Sequence, residues 1–128
     1  MEVNYLLNSN VIVAYLDNKL PPRGMDFLSD IVDRIPNISV ISQIEVLRYN
    51  TTSDVMKILS DFIDCSVILP LDTKVVKSTI SLCRQSKIKL PDAIIAATSI
   101  VYNFTLLTRN VDDFKNIHGL IYENPWDK

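Results

Sequence analysis

Short apolar runs alternate along this chain with longer stretches whose apolar residues recur every three or four positions. Tyr5-Leu6-Leu7 meets the polar cluster Asn8-Ser9-Asn10, and from Val11 a second apolar stretch has the length and spacing of a helix. This predicts a first buried strand and a first helix with three small polar residues at their junction. Leu20-Pro21-Pro22-Arg23-Gly24 is a turn by composition. Phe27, Leu28, Ile31, Val32 and Ile35 predict a helix over 25–35, ended by Pro36-Asn37. The alternation in Ile38-Ser39-Val40-Ile41 predicts a second strand. A helix then opens at Ser42 and runs towards Asn50, and Thr51 to Asp54 marks a break before the next one, carried by Val55, Ile58, Leu59, Phe62 and Ile63. Ser66 to Leu71 reads as a third strand, and Asp72-Thr73 caps a helix containing Val75, Val76, Ile80 and Leu82. Pro91 suits a first helical position, and the stretch from Ala93 to Tyr102 is apolar nearly all round, as a central buried helix would be. Phe104 to Thr108 and Leu120 to Tyr122 read as the fourth and fifth strands.

Strands that alternate with helices imply crossover connections and a mainly parallel sheet. The expected fold is therefore α/β, a three-layer α/β/α sandwich with a central sheet of four to five strands. The 128 residues suit one domain, 1–128, with neither repeat nor linker.

Composition narrows the partners. A net charge of −2 provides no overall basic field, so a nucleic acid would be held by local lysines and arginines or through metal ions. The most apolar stretch, 93–107, is interrupted by Thr98, Ser99, Asn103 and Thr105 and is too short for a membrane span. Met1-Glu2-Val3 lacks the basic start of a signal peptide. Cys65 and Cys83 form no CxxC pair and lie in apolar segments, as reduced core thiols of a cytoplasmic protein would. With two glycines the chain holds no P-loop and no GxGxxG. His118 lies in a loop and is expected to face solvent; Trp126 is expected to pack the carboxyl tail onto the body. The apolar stripes of the helices near 21–34 and 50–62 read as surfaces for a second copy or another protein.

Four polar clusters fall at corresponding places: Asn8-Ser9-Asn10; Glu45; Asp92; and Thr108-Arg109-Asn110 with Asp112 and Asp113. A parallel sheet brings such positions to one edge, where open α/β sheets bind their ligands. Carboxylates gathered there repel one another and are commonly held by a hard divalent cation, Mg²⁺ or Mn²⁺. Each acid has a plainer role open to it. Asn8 would make an Asx-turn while Ser9 or Asn10 caps the helix. Ser42 and Glu45 have capping-box spacing. Asp92 complements a helix macrodipole, and Asn110 would cap a short turn containing Asp113.

The chain also resembles a known family. Residues 5–16 resemble the opening of PIN-domain ribonucleases, particularly the VapC-type toxins of toxin–antitoxin pairs, where a strand normally ends in Asp-Thr/Ser-Asn before an apolar helix. Ile41 to Tyr49 resembles the second motif of that family, with its glutamate at Glu45; Leu90 to Thr98 resembles the third, with its aspartate at Asp92. Leu107 to Phe114 resembles the fourth, and Asn124-Pro125-Trp126 is a familiar ending. The resemblance implies a PIN-like fold and a hydrolase, an endoribonuclease dependent on Mg²⁺ or Mn²⁺, acting as a cytoplasmic homodimer that a cognate antitoxin inhibits. It places Asn8, Glu45 and Asp92 at the metal, with Asp113 or Asn110 completing the catalytic cluster, and Ser9, Asn10 and Thr108 in the surrounding support. Two positions depart from the pattern. Asn8 stands where the family has its first acid, and Asn110 where some members have aspartate. A neutral amide removes a full negative charge from a site that depends on anionic oxygen, so this chain is expected to bind metal and cleave RNA weakly. The alternatives are a catalytically silent PIN fold that binds protein, and a DNA nuclease of similar architecture.

Overall fold

In the computed structural model, which describes residues 3–128, neighbouring strand residues feed different cores. Leu6 and Leu106 pack into one apolar cluster, Leu7 and Leu107 into another, and all four are fully buried. That is the period-two geometry of a strand, applied to a sheet covered on both faces. The strands are β1 (Tyr5–Leu7), β2 (Asn37–Ser39), β3 (Val67–Leu69), β4 (Thr105–Leu107) and β5 (Tyr122–Glu123). They are ordered β3-β2-β1-β4-β5 and every pairing is parallel, with Leu6 opposite Leu106 and Ile38 opposite Ile68.

The helices are α1 (Ser9–Leu16), α2 (Pro22–Asp33), α3 (Val40–Leu47), α4 (Ser53–Asp64), α5 (Thr73–Gln85) and α6 (Leu90–Val101). Val11 and Ile12 of α1, Leu28 of α2, Val46 of α3 and Leu59, Phe62 and Ile63 of α4 join Leu7 on one face. Val75 and Leu82 of α5 and Ile94 to Ala97 of α6 join Leu6 on the other, with Phe114 and Ile117 from the loop after β4. Residues 93–99 of α6 are all buried, as their unbroken small and apolar character predicts. The three-layer α/β/α architecture is therefore the one the alternation of periods implied.

Local differences have identifiable causes. The second strand stops at Ser39 because the Ser39 hydroxyl accepts the Ile41 N–H (3.1 Å) and starts α3, drawing Val40 and Ile41 into the first helical turn. Helix α2 begins at Pro22, earlier than expected, since proline is well placed where an N–H has no intrahelical partner. Pro91 is the second residue of α6, after Leu90. Cys65 and Cys83 are exposed, contrary to expectation: Val75, Thr79 and Leu82 occupy the inward stripe of α5, which turns Cys83 outward, and Cys65 sits beyond the end of α4. The stripe of α2 is likewise spent on the core, with Met25, Phe27, Ile31 and Val32 packed there. On α4, Val55 and Ile58 remain uncovered. His118 is exposed, and Trp126 packs against the core as expected. The approach of its turn needs Gly24, where a Cβ would lie 2.6 Å from the Pro125 carbonyl oxygen. Among the described residues no helix is long and apolar enough to cross a membrane.

Ile35 follows α2 in the left-handed region, φ 69°, with 60% of its surface exposed. A β-branched residue there costs roughly 1–2 kcal/mol, and little packing offsets it. Ile35→Asn should therefore stabilise the protein by about 1 kcal/mol in urea unfolding, because asparagine tolerates this conformation.

Candidate metal centre

The loops that leave β1 and β4 are tied together where those strands end. The Asn8 N–H donates to the Leu107 carbonyl (3.0 Å), and the Thr108 N–H to that of Glu123 (3.1 Å). Asn8 itself is the N-cap of α1: its Oδ1 accepts the Ser9 N–H at 2.8 Å, so neither Ser9 nor Asn10 caps this helix. Its Nδ2 donates to Thr108 Oγ1 at 3.1 Å, and the same buried hydroxyl accepts the Asn110 N–H at 3.1 Å. Asn8 is 5% exposed, with its side-chain oxygen engaged by the helix it caps. Asn10 Oδ1 accepts the Arg109 N–H at 3.3 Å, a second tie between the loops.

Glu45 lies well inside α3, beyond its first turn, and Ser39 is the cap; the capping-box reading of Ser42 and Glu45 therefore falls. Ser42 is fully buried, and among the described residues its hydroxyl has no hydrogen-bond partner. The Glu45 carboxylate instead accepts the Ser9 hydroxyl at 3.1 Å, linking α3 to α1.

Because α6 delivers the chain to the start of β4, its first turn lies towards the opposite edge, where β1 and β4 end. Asp92 occupies that turn. A helix N-terminus alone would lower its pKa. Its carboxyl is raised instead, by burial first, then by the charges of Asp113 and Glu45, with Lys89 opposing. Desolvation, and after it repulsion by the two acids, outweighs the helix dipole.

Asp113 belongs to a single 3-10 turn, Val111–Asp113, and Asn110 before it makes no side-chain capping bond. Asp92 and Asp113 line one depression of about 540 Å³ with Asp112, Lys87 and Lys89. Glu45, Ser9 and Asn10 line another of about 710 Å³, with Lys19, Arg48, Arg109 and Trp126. Asn110 lines neither, and the Asp112 carboxylate is 3.6 Å from the Lys115 ammonium. The acids thus stand between two grooves with basic residues in both. Sequence reasoning had not assigned roles to Lys19, Arg48, Lys89 or Arg109; only the position of Arg109 beside Thr108 hinted at one.

Glu45, Asp92 and Asp113 carry carboxylate oxygens, the kind of hard donor that Mg²⁺ or Mn²⁺ takes. Among the described residues no three His, Cys, Asp or Glu side chains form a ready-made metal-binding group, so water and substrate would supply much of the shell.

The sequence model for the PIN domain matches residues 5–120. No curated protein matches the chain. Among solved structures, a chain of VapBC2 from Rickettsia felis, bound to a DNA fragment from its promoter, is similar with 25% identity and TM-score 0.79, over 95% of this chain and 98% of that one. A chain of DNA-bound VapBC from Salmonella typhimurium has 20% identity and TM-score 0.80, covering 97% and 99%. One of VapBC-1 from nontypeable Haemophilus influenzae has 19% identity and TM-score 0.80, covering 98% and 100%.

Proposed function

The chain belongs to the PIN-domain family, and on that premise we propose that it is a VapC-type toxin, the metal-dependent endoribonuclease of a type II toxin–antitoxin pair, weakened here by Asn8. The observation that carries the proposal is the placement of Asp92 in the first turn of α6, beside Asp113 in one depression, at the sheet edge where Glu45 of α3 is bonded to Ser9. Burial first, then the charges of Asp113 and Glu45, raise the Asp92 carboxyl from its ordinary value. Similarity to chains of VapBC complexes supports a cognate antitoxin as partner.

In this reading Glu45, Asp92 and Asp113 hold Mg²⁺ or Mn²⁺, with Asn8 contributing at most one neutral oxygen. The ion, when bound, supplies positive charge to the scissile phosphodiester and lowers the pKa of the attacking water. Ser9 fixes the Glu45 carboxylate through its hydroxyl, and Thr108 and Asn10 hold the two loops in register. Asp113, rather than Asn110, completes the acid set because it shares a groove with Asp92 and contributes to its pKa shift. The protein works in the cytoplasm as a homodimer.

The test is cleavage of labelled RNA and of labelled DNA of the same sequence, each with and without EDTA. Slow, EDTA-sensitive cleavage of RNA alone is the expected result, together with a dimer in light scattering and co-purification of a co-expressed antitoxin. EDTA-insensitive cleavage, or cleavage of DNA alone, would refute the proposal. One observation favours a second reading, a silent PIN fold that only binds protein: the Asn8 oxygen is already engaged by the Ser9 N–H. Complete inactivity with intact antitoxin binding would select it.

A further inference from the structure

The groove beside Glu45, which Asp17 also lines, contains a cation held in place by an aromatic ring. The Arg109 guanidinium carbon lies 4.7 Å from the centroid of the Trp126 ring, and the Arg109 backbone N–H is tied to Asn10. The residue is held in turn: the Trp126 backbone N–H donates to Asn124 Oδ1 at 2.9 Å, and the ring packs on the core. Among the described residues Arg109 forms no ion pair, whereas the exposed Lys57 does. An arginine stacked on an aromatic ring has surrendered part of its rotamer freedom and water shell, so gripping a phosphate costs it less.

We propose that Arg109, stacked on Trp126, is an RNA-binding residue that grips a phosphate of the substrate strand next to the acid cluster. This rests on the nuclease reading and extends it. A phosphodiester approaching Glu45, Asp92 and Asp113 is repelled unless cations stand alongside, and Arg109 lines the same groove as Glu45. Lys19 and Arg48 share that lining, and Lys87 and Lys89 lie in the depression beyond Asp92. A strand crossing the acids therefore meets cationic side chains on both sides, and on the Glu45 side these three outnumber the two acids, Asp17 and Glu45. The planar guanidinium suits bidentate contact with a phosphate, and its stacked posture distinguishes it from the lysines.

The test is fluorescence anisotropy with labelled single-stranded RNA in EDTA, so that no strand is cut, over a series of salt concentrations. Arg109→Ala should weaken binding about tenfold, as expected for loss of one hydrogen-bonded charge. The slope of log affinity against log salt should become shallower by about 0.7, the value for one phosphate contact on a single strand. Arg109→Lys should restore the slope but only part of the affinity, and Trp126→Phe should stay near the parent. Thermal melting of each variant confirms that it folds. Parental affinity and slope in Arg109→Ala would overturn this inference and leave the nuclease reading standing. Absence of RNA binding by the parent chain would overturn both. If Arg109→Ala lost affinity for an acidic peptide but not for RNA, the groove would be a protein-docking site and the inference would fall.

Discussion

Asn8→Asp should cleave RNA faster than the parent chain, in an EDTA-sensitive reaction. The replacement fits the bonds already present. Oδ1 keeps the Ser9 N–H, and where Nδ2 now donates to Thr108 Oγ1, the new oxygen accepts the Thr108 hydroxyl proton instead. Thr108 Oγ1 still accepts the Asn110 N–H. The added charge sits at the N-terminus of α1, which favours an anion by roughly 0.3–1 kcal/mol. Burial and nearby Glu45 oppose it, so metal-free stability should fall slightly. Mn²⁺ should then reverse the order. A ligand at 100 times its dissociation constant adds about 2.7 kcal/mol, and only the variant should reach that occupancy at modest Mn²⁺. The measurements are cleavage of one RNA at one Mg²⁺ concentration and melting temperature with and without Mn²⁺, for parent and variant. Equal inactivity, with no Mn²⁺ shift in either protein, would end the nuclease reading. The variant should also harm an expression host unless its antitoxin is present.

Neutralising Asp92 should have opposite effects with and without metal. Its carboxyl is raised above the ordinary range by burial and then by Asp113 and Glu45. The folded state therefore holds this proton to higher pH than the unfolded chain does. Its contribution favours folding below the ordinary carboxylate pKa and is lost as pH rises through the folded value. Above that folded value the ionised form of Asp92 opposes folding. Asp92→Asn should melt higher than the parent there, with the difference closing as pH falls into the carboxylate range. In Mn²⁺ the order should invert, because the variant has lost a ligand. Glu45→Gln is the companion test: glutamine can still accept the Ser9 hydroxyl, and the Ser39 cap of α3 is untouched. Both variants should bind Mn²⁺ more weakly than the roughly 10- to 100-fold loss that follows removal of an outer partner. Unchanged Mn²⁺ titrations in both would remove the metal-site proposal.

Much of this was legible from local pattern. Alternation of short apolar runs with helical spacing determined the layered parallel sheet, because strands buried on both faces must be apolar throughout. The unbroken character of 93–99 marked α6 as the central helix for the same reason. Asp72 and Pro91 marked helix starts, since caps and proline act on their own few residues; Pro21-Pro22 read as a turn, and α2 began there instead.

Tertiary structure decided what depends on partners far apart in sequence. Ser42 and Glu45 have the spacing of a capping box, yet the hydroxyl of Ser39 took the cap and left Glu45 to meet Ser9, 36 residues away. Cys65 and Cys83 sit in apolar segments, but a one-residue offset on a helix surface turned Cys83 to solvent. Asp113 was brought into one depression with Asp92 by the fold of the loop after β4, which no local motif specifies. The stacking of Arg109 on Trp126 joins two segments that share only the final fold. The sequence by itself determined which residues carry charge and which elements bear them. Their mutual distances, and so the repulsion that raises Asp92, arose only when separate loops met at one edge of the sheet, because a Coulomb interaction depends on separation in space and on burial rather than on separation along the chain.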